Sequence, residues 1–131
     1  MNKVVLDTNV LVSAFWSNQG NPYRIVEMLF TGEIDLYCTD DIIEEYTEVL
    51  LREKLGLSRD KVFRLMTEII TNSTHIEVQK SSVDFADEDD RKFYDAAKAS
   101  GATLVTGNMR HYPDEPFIIT PAGFLERVES L

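Results

Sequence analysis

Short runs of apolar residues without polar alternation recur along the chain and predict strands that are buried on both faces. The segment 3–6 is the clearest example, because after Lys3 it consists of two β-branched valines and a leucine, as expected inside a parallel sheet. The same reasoning predicts strands at 34–39, 102–106 and 117–120, and a weaker strand at 74–78.

The segments between these runs carry apolar residues with the 3.6-residue period of a helix. Asp-Thr-Asn at 7–9 is a turn and N-cap signal, so we predict a short helix directly after it. Elsewhere, Pro suits the first turn of a helix and Gly the position after its last turn. The further predicted helices are 21–33, with Asn21 as cap, Pro22 in first position and Gly32 as stop; 40–56, capped at Asp40 or Asp41 and ended by Gly56; 58–72, opened by Ser58; 88–101, with Asp87 as cap and Gly101 as stop; and 121–131, with Pro121 in its first turn.

Strands that alternate with helices predict an α/β fold in which a parallel sheet has helices on both faces. The successive helices at 40–56 and 58–72 depart from a strict strand–helix–strand repeat. The 131 residues suffice for one hydrophobic core, so we expect residues 1–131 to form a single domain.

The charge balance restricts how this chain could hold a polyanion. The formal net charge is −10, whereas proteins that bind nucleic acid by electrostatics alone are basic. Binding RNA would therefore need a local positive patch or bound metal cations. One basic cluster is a candidate RNA-facing edge, although a solvated helix pair with ordinary salt bridges explains it more simply; it comprises Arg52, Lys54, Arg59, Lys61 and Arg64.

The sequence contains no sign of a membrane or an oxidising environment. No apolar run reaches the length of a membrane span, and no small-residue cleavage site follows the first apolar segment. A single cysteine, Cys38, excludes an internal disulfide framework. We therefore expect a cytoplasmic protein with no membrane partner.

Polar residues follow two of the predicted strands. Asp7 comes directly after the strand at 3–6, and Asn108 comes shortly after the strand at 102–106. Ligands of open parallel sheets bind beyond the carboxyl ends of the strands, where both residues would meet if the strands are neighbours. A charged side chain amid apolar residues is costly unless it is paired, so Asp7 is either a turn residue or a ligand.

A second acid, Glu45, lies at the border of the apolar stripe of the helix predicted at 40–56. It is three positions after Ile42 and four before Val49, so it faces inward or along the seam of the helix. Helix geometry alone favours the simpler interpretation, in which the stem packs and the carboxylate reaches water.

A third group of acids opens the helix predicted at 88–101. Asp90 shares the face of Phe93, Tyr94 and Ala97, whereas Asp89 lies one position off that line. Acids in a first turn also favour the helix dipole, and capping would explain one or two of them. It does not explain all the acids between 84 and 90, whose repulsion a cation would relieve.

Asp7, Glu45 and Asp90 are thus inward-leaning acids on three elements. Carboxylate oxygens of this kind suit Mg²⁺ or Mn²⁺. Zinc is disfavoured because no Cys and His residues have ligand spacing, and His75 and His111 are isolated.

Several stretches of the chain resemble the PIN-domain family. They are "VVLDTNVLVSAF", "DDIIEEYTEVLLR", "DEDDRKFYDAAKASGATLVTGN" and "MRHY", in the family's order and rough spacing. The resemblance is closest to the bacterial and archaeal branch of toxin components from toxin–antitoxin pairs. It implies a three-layer α/β/α sandwich with a central parallel sheet, and metal-dependent endoribonuclease activity.

Carried over by position, the resemblance implies a set of site residues. Asp7, Glu45 and Asp90 match the family's acids, with Asp89 as the alternative register for the third and Asp87 as a further acid. These five are the implied ligands of Mg²⁺ or Mn²⁺. The implied catalytic residues are Asp7, Glu45, Asp90 and Asn108, and the implied substrate-binding residues are Thr8, Asn9 and Thr106.

The chain departs from the family's pattern between 108 and 111. Many members carry a fourth acid there, but this chain has Asn108 and His111. The fourth carboxylate is missing or displaced to Asp114, which puts a second metal ion in doubt.

We therefore expect a ribonuclease toxin in which one metal ion activates water for phosphodiester hydrolysis. The alternative is a catalytically weak or inactive PIN-fold module that binds RNA or an antitoxin. A phosphatase with an Asp nucleophile is less favoured than the ribonuclease or the binding module, because such enzymes usually have a second Asp at the position that Asn9 holds here. The expected partners are RNA, a cognate antitoxin and a second copy of the chain, the last because Leu11, Phe15 and Trp16 exceed what one small core needs.

Overall fold

The computed structural model of the chain describes residues 2–130. Within that range five strands form one sheet in which every pairing is parallel. In chain order they are β1 (Asn2–Leu6), β2 (Ile34–Cys38), β3 (Thr74–His75), β4 (Thr103–Val105) and β5 (Ile118–Ile119). Their order across the sheet is β3-β2-β1-β4-β5, so the chain starts in the centre and builds outward on both sides.

Helices flank this sheet, and the predicted α/β sandwich with a parallel central sheet is confirmed. Within residues 2–130 they are α1 (Thr8–Trp16), α2 (Asn21–Thr31), α3 (Asp40–Leu50), α4 (Arg59–Asn72), α5 (Arg91–Ser100) and α6 (Pro121–Glu129). None of the helices in this described part combines the length and apolar character needed to cross a bilayer.

Helix α3 differs from its prediction at both ends. Its cap is Thr39, whose Oγ1 accepts a hydrogen bond from the backbone N–H of Ile42 at 3.2 Å, so the prediction of Asp40 or Asp41 as cap was wrong. The helix ends at Leu50, because the backbone of Arg52 is extended, and a separate 3₁₀ turn then runs to Gly56. Gly56 therefore ends that turn and not the helix.

Other boundaries follow the sequence more closely. Ser58 caps α4 through the backbone N–H of Lys61, as predicted. Asn21, predicted as the cap of α2, is instead its first residue, and Gly20 is the cap. The strand predicted at 74–78 shortens to Thr74–His75.

The acids before α5 form a 3₁₀ turn, Glu88–Asp90, in place of the first turn of the predicted helix. Asp87 does act as a cap, but of this turn, because its carboxylate accepts a hydrogen bond from the backbone N–H of Asp89 at 3.0 Å. Helix α5 then begins at Arg91. This turn decides which acid faces the sheet.

Gly101 ends α5 with a φ of 73°, a left-handed conformation that side chains disfavour. We expect Gly101→Ala to lower the free energy of unfolding by about 1 kcal/mol, because the strain lies in the backbone. No atom lies within 4 Å of the added Cβ, so a steric clash contributes nothing. The control is Gly20→Ala, where φ is −90°. Equal urea-unfolding free energies for the two variants would contradict this account.

The centre of the sheet positions the site. Val4, Val5 and Leu6 of β1 are fully buried, as expected for a strand covered by helices on both faces. Strand β1 lies between β2 and β4, and chain order reverses direction across the sheet at the β1–β4 boundary. In open parallel sheets this reversal opens a crevice at the carboxyl ends of the strands. Because Leu6 pairs with Val105, Asp7 and the residue after Val105 emerge side by side there.

Candidate active site

Asp7 lies at the crevice between β1 and β4 and is only 6% exposed. Its backbone N–H donates to the carbonyl of Val105 at 3.0 Å, which continues the strand pairing by one residue. The hydroxyl of Thr106, the residue that follows β4, donates to Oδ2 of Asp7 at 2.8 Å. The two neighbouring strands therefore place Asp7 and Thr106 together, whereas the residue that the sequence predicted beside Asp7 at this edge was Asn108.

Tyr112 completes the surroundings of Asp7. It is buried, and its hydroxyl donates to the same Oδ2 of Asp7 at 2.9 Å. The sequence did not predict Tyr112 as a site residue, because it lies in a loop where no periodicity indicates which side chains turn inward. An aromatic residue in an otherwise polar loop was the one signal available.

Burial raises the pKa of Asp7, and the charge of Glu45 adds to that rise, while the hydroxyls of Thr106 and Tyr112 oppose it. Burial next to Asp7 also raises the pKa of Tyr112, which keeps its phenol protonated as a donor. Both hydroxyls bond one oxygen of Asp7, Oδ2. The hydroxyls of Thr106 and Tyr112 therefore fix the orientation of the Asp7 carboxylate.

Glu45 faces the same crevice from α3. Its side chain is 16% exposed and its carboxylate lies between two partners. The hydroxyl of Thr8 donates to Oε2 at 2.5 Å, and the ammonium of Lys92 lies 2.7 Å from Oε1. The expectation that this carboxylate reaches water was therefore wrong, because residues 37 and 47 positions away in the chain hold it.

The ion pair between Lys92 and Glu45 is the second contact that the sequence did not predict. Burial lowers the pKa of Lys92, but the hydrogen bond and charge of Glu45 outweigh it and leave the pKa raised. The ammonium of Lys92 also lies 3.8 Å from Asp89. A cation of the protein itself thus neutralises one of the three predicted acids.

Of the three acids Asp7, Glu45 and Asp90, Asp90 has the fewest partners for its carboxylate. Its side chain is 13% exposed, and within the described residues its Oδ2 is buried without a hydrogen-bond partner. The imidazole of His111 lies close by, with Nδ1 at 3.5 Å from Oδ2. Burial and then the charges of Asp7, Asp87 and Glu45 raise the pKa of Asp90 to about 6, against the opposing effect of His111.

The 3₁₀ turn separates the two alternatives for the third acid. Asp90 shares an electrostatic field with Asp7 and Glu45, whereas the side chain of Asp89 is 77% exposed. Asp87 is also exposed and is engaged in capping. The structure therefore brings Asp90 towards the other acids and leaves Asp89 and Asp87 at the rim.

The predicted polar residues have different surroundings. Asn9 accepts a hydrogen bond from the backbone N–H of Gly107 at 3.1 Å, which ties α1 to the end of β4. The backbone N–H of Asn108 donates to the hydroxyl of Thr106 at 3.0 Å, while the residue itself is exposed at the mouth of the crevice. Asp114, the displaced fourth acid considered above, is exposed as well.

The acids of the crevice are of the chemical type that binds a divalent cation, but they are not close enough together to form a complete coordination site. Asp7, Glu45 and Asp90 present carboxylate oxygens, which Mg²⁺ and Mn²⁺ favour, and the unpartnered Oδ2 of Asp90 lacks a positive neighbour at bonding distance. Across residues 2–130, however, no three Asp, Glu, His or Cys side chains are close enough to hold a metal as they stand. A bound cation would have to compete with Lys92 for Glu45.

A family model described as the PIN domain matches residues 3–110, which include every acid of the crevice. This chain belongs to the PIN-domain family. One relative, the uncharacterized protein MJ1680 of Methanocaldococcus jannaschii, is 32% identical over 110 residues, covering 81% of this chain and 70% of that protein.

Two solved structures share the fold of this PIN domain. The structure of PAE2754 from Pyrobaculum aerophilum matches with a TM-score of 0.62 at 19% identity, over 100% of this chain and 91% of the other. A chain of VapBC2 from Rickettsia felis, solved bound to a DNA fragment from its promoter, matches with a TM-score of 0.57 at 17% identity, over 90% and 96%. At these identities the likeness concerns the fold.

Proposed function

We propose that this PIN domain is a metal-dependent endoribonuclease that hydrolyses phosphodiester bonds of RNA and serves as the toxin of a toxin–antitoxin pair. PIN domains are generally nucleases and typically use divalent metal ions. The observation that carries the proposal is the buried, unpartnered Oδ2 of Asp90 in the field of Asp7 and Glu45. Acids from three separate elements would not be gathered at one crevice for stability, because they repel one another.

In this proposal Asp7, Glu45 and Asp90 hold Mg²⁺ or Mn²⁺, with Asp87 and Asp89 as outer acids at the rim. When bound, the ion supplies a water of lowered pKa and neutralises charge on the phosphoryl group. Thr106 and Tyr112 bond Oδ2 of Asp7 and so fix the carboxylate for the cation.

The polar residues of the crevice have supporting roles in this proposal. Thr8 orients Glu45, and Asn9 fixes α1 against the end of β4. Thr8 and Thr106 are buried and bond Glu45 and Asp7, so of the three predicted substrate-binding residues we assign only the partly exposed Asn9 to the RNA contact surface. Asn108, exposed at the mouth, would orient the attacking water without adding charge.

The direct test is cleavage of a single-stranded RNA by the purified chain with Mn²⁺, with Mg²⁺ and with EDTA. We expect products with either ion and none with EDTA. Asp60→Asn, at the exposed start of α4, is the matched control for removing an acid from the surface. A chain that binds neither ion and cuts no RNA under any of these conditions would contradict the proposal.

A second candidate function is favoured by one specific contact. The ammonium of Lys92 already neutralises Glu45, and Asn108 and His111 stand where many family members have an acid. A module with these features would bind RNA or an antitoxin without cutting. RNA binding that is unchanged by Mn²⁺, together with intact RNA after long incubation, would favour this function over the nuclease.

The partner proposals depend on different observations. VapBC2 of Rickettsia felis is a complex solved on promoter DNA, and its likeness to this chain supports an antitoxin partner. The homodimer is the weaker proposal, because Leu11 is fully buried and Phe15 is partly buried against this chain's own core, which leaves Trp16, 64% exposed, as the main exposed residue of the predicted set. Light scattering of the purified chain measures that state directly.

We expect Tyr112→Phe to weaken Mn²⁺ binding by about tenfold, because groups that orient a metal ligand typically contribute 10- to 100-fold to affinity. The substitution removes only the hydroxyl that bonds Oδ2 of Asp7. Titration calorimetry with Mn²⁺ measures the change. Tyr23→Phe, on α2, is the control, and equal Mn²⁺ affinities for the two variants would show that the Tyr112 hydroxyl does not position Asp7.

A further inference from the structure

A cavity of about 730 Å³ adjoins the acidic crevice at the carboxyl edge of the sheet. The start of α3, the segment after β3 and one side of α5 line it, and it is open to solvent. Asp41, Asp89 and Lys92 lie on the wall that it shares with the surface around Glu45 and Asp90. An RNA strand bound at the acids would therefore pass the mouth of this cavity. The volume of the cavity is in the range that small organic groups occupy.

Asp95 lies in the lining of this cavity and has no role in the proposed chemistry. The residue is 7% exposed, and its Oδ2 accepts a hydrogen bond from the backbone N–H of Ser81 at 3.0 Å. Its Oδ1 is buried without any hydrogen-bond partner in the part of the chain that the structure describes. A buried acceptor left in this state is costly, so a donor from a ligand would be stabilising.

The charges around the cavity determine what kind of donor fits. Lys80 and Arg91 both pair with Glu88, and Lys92 pairs with Glu45. The remaining lining acids, Asp40, Asp41 and Glu77, form no salt bridge within residues 2–130. A phosphate inside the cavity would be repelled, whereas a neutral group with N–H donors would not.

We infer that this cavity receives a nucleobase of the RNA strand next to the cleaved bond, and that Asp95 selects bases that carry an exocyclic amino group. The inference rests on the proposed function, because it names a specificity subsite of that reaction. Ile76 and Val78 give the cavity apolar walls against which the faces of a base can pack.

The expected selectivity follows from the donors of each base. Guanine presents an imino and an amino N–H side by side, and a carboxylate accepts from such groups. Uracil has a single N–H between two carbonyl oxygens, which the lining acids would repel. Asp95 should therefore prefer guanine and disfavour uracil.

Binding of mononucleotides to the full chain, in EDTA so that no turnover occurs, tests the subsite on its own. We expect guanosine 5′-monophosphate to bind about tenfold more tightly than uridine 5′-monophosphate, the loss typical of one hydrogen bond to a charged group. Backbone amide shifts in NMR spectra should move at residues 76–81. Shifts confined to other parts of the chain, or equal affinities for the two nucleotides, would overturn the inference.

Asp95→Asn gives the sharper test. The N–H of Ser81 must still bond the side-chain oxygen at residue 95, so the new amide nitrogen would replace the unpartnered Oδ1 and turn that acceptor into a donor. The preference should then invert in favour of uridine 5′-monophosphate. Asp114→Asn, at an exposed acid, is the control and should keep the preference for guanosine.

Two further measurements keep the outcome decisive. Should Asp95→Asn fail to fold, Val78→Trp fills the cavity from its apolar wall and should abolish binding of both nucleotides. A tetra-arginine peptide that binds the cavity when neither nucleotide does would overturn the inference in favour of a cationic protein partner.

The subsite and the nuclease proposal can fail separately. Nucleotide binding without any RNA cleavage would support the subsite and contradict the nuclease. RNA cleavage without any base preference would support the nuclease and contradict the subsite.

Discussion

Replacing Asp7 with Asn is expected to lower the rate of RNA cleavage by at least about a hundredfold, because even groups that only orient a metal ligand contribute 10- to 100-fold. Asn keeps the shape of the side chain and can still accept hydrogen bonds from Thr106 and Tyr112 through its oxygen. What it loses is the charge that a divalent cation requires. The effect should therefore fall on metal-dependent chemistry and leave the fold intact.

Initial rates of RNA cleavage with Mn²⁺, together with the far-ultraviolet circular dichroism spectrum, measure the two sides of this prediction. Asp60→Asn removes the same charge from an exposed position and should retain the parent rate. A Mn²⁺-dependent rate for Asp7→Asn within a few fold of the parent would mean that Asp7 is not a ligand. The nuclease proposal would then lose its central residue.

Asp90→Asn is expected to raise the stability of the metal-free chain and to abolish its stabilisation by metal. A pKa of about 6 in place of 3.8 means that the ionised carboxylate of Asp90 is disfavoured in the folded state by at most about 3 kcal/mol, which solvent screening at the crevice reduces. Asn removes that charge, at some cost of its own for burying an amide, so we expect a net gain of about 1 kcal/mol at pH 8 in EDTA.

The pH dependence of this gain has a definite sign. A carboxyl with a raised pKa in the folded state binds more protons folded than unfolded, so the free energy of unfolding falls as the pH rises between the two values. For Asp90 that window runs from about 3.8 to about 6. The difference between Asp90→Asn and the parent should therefore be small near pH 4, grow through the window and become constant above it.

Urea unfolding of both chains in EDTA at several pH values gives this difference, in which the other titrating groups largely cancel. With Mn²⁺ at about 100 times its dissociation constant, the parent should gain about 2.7 kcal/mol, and Asp90→Asn little or nothing. A destabilised Asp90→Asn at pH 8, or one that still responds to Mn²⁺, would show that Asp90 is a structural acid.

Much of the fold follows from local patterns in the sequence. The apolar run ending at Leu6 is a buried strand because no alternation provides a solvent face, and Ser58 and Gly101 mark helix ends because their roles depend only on nearby backbone. Helix starts were less certain where several polar residues compete. Thr39, and not Asp40 or Asp41, caps α3, since the choice depends on the exact residue at which β2 ends.

The site was predictable as a set of acids but not as a network. Asp7 stands out because a charge interrupts an apolar run, and Asp90 because it shares a face with Phe93. The contacts of Tyr112 and Lys92 were missed, because each joins residues more than 40 positions apart and local periodicity carries no information on such pairs. For the same reason the free oxygen of Asp95 could not be anticipated.

The sequence by itself determined the alternation of strands and helices, the parallel sheet and the presence of acids after β1 and before α5. These depend on the spacing of apolar residues and on backbone preferences that act over a few positions. The tertiary structure alone decided that β1 and β4 are neighbours, that Asp90 faces the crevice while Asp89 faces solvent, and that Lys92 neutralises Glu45. These are long-range outcomes, fixed by strand order and by one 3₁₀ turn.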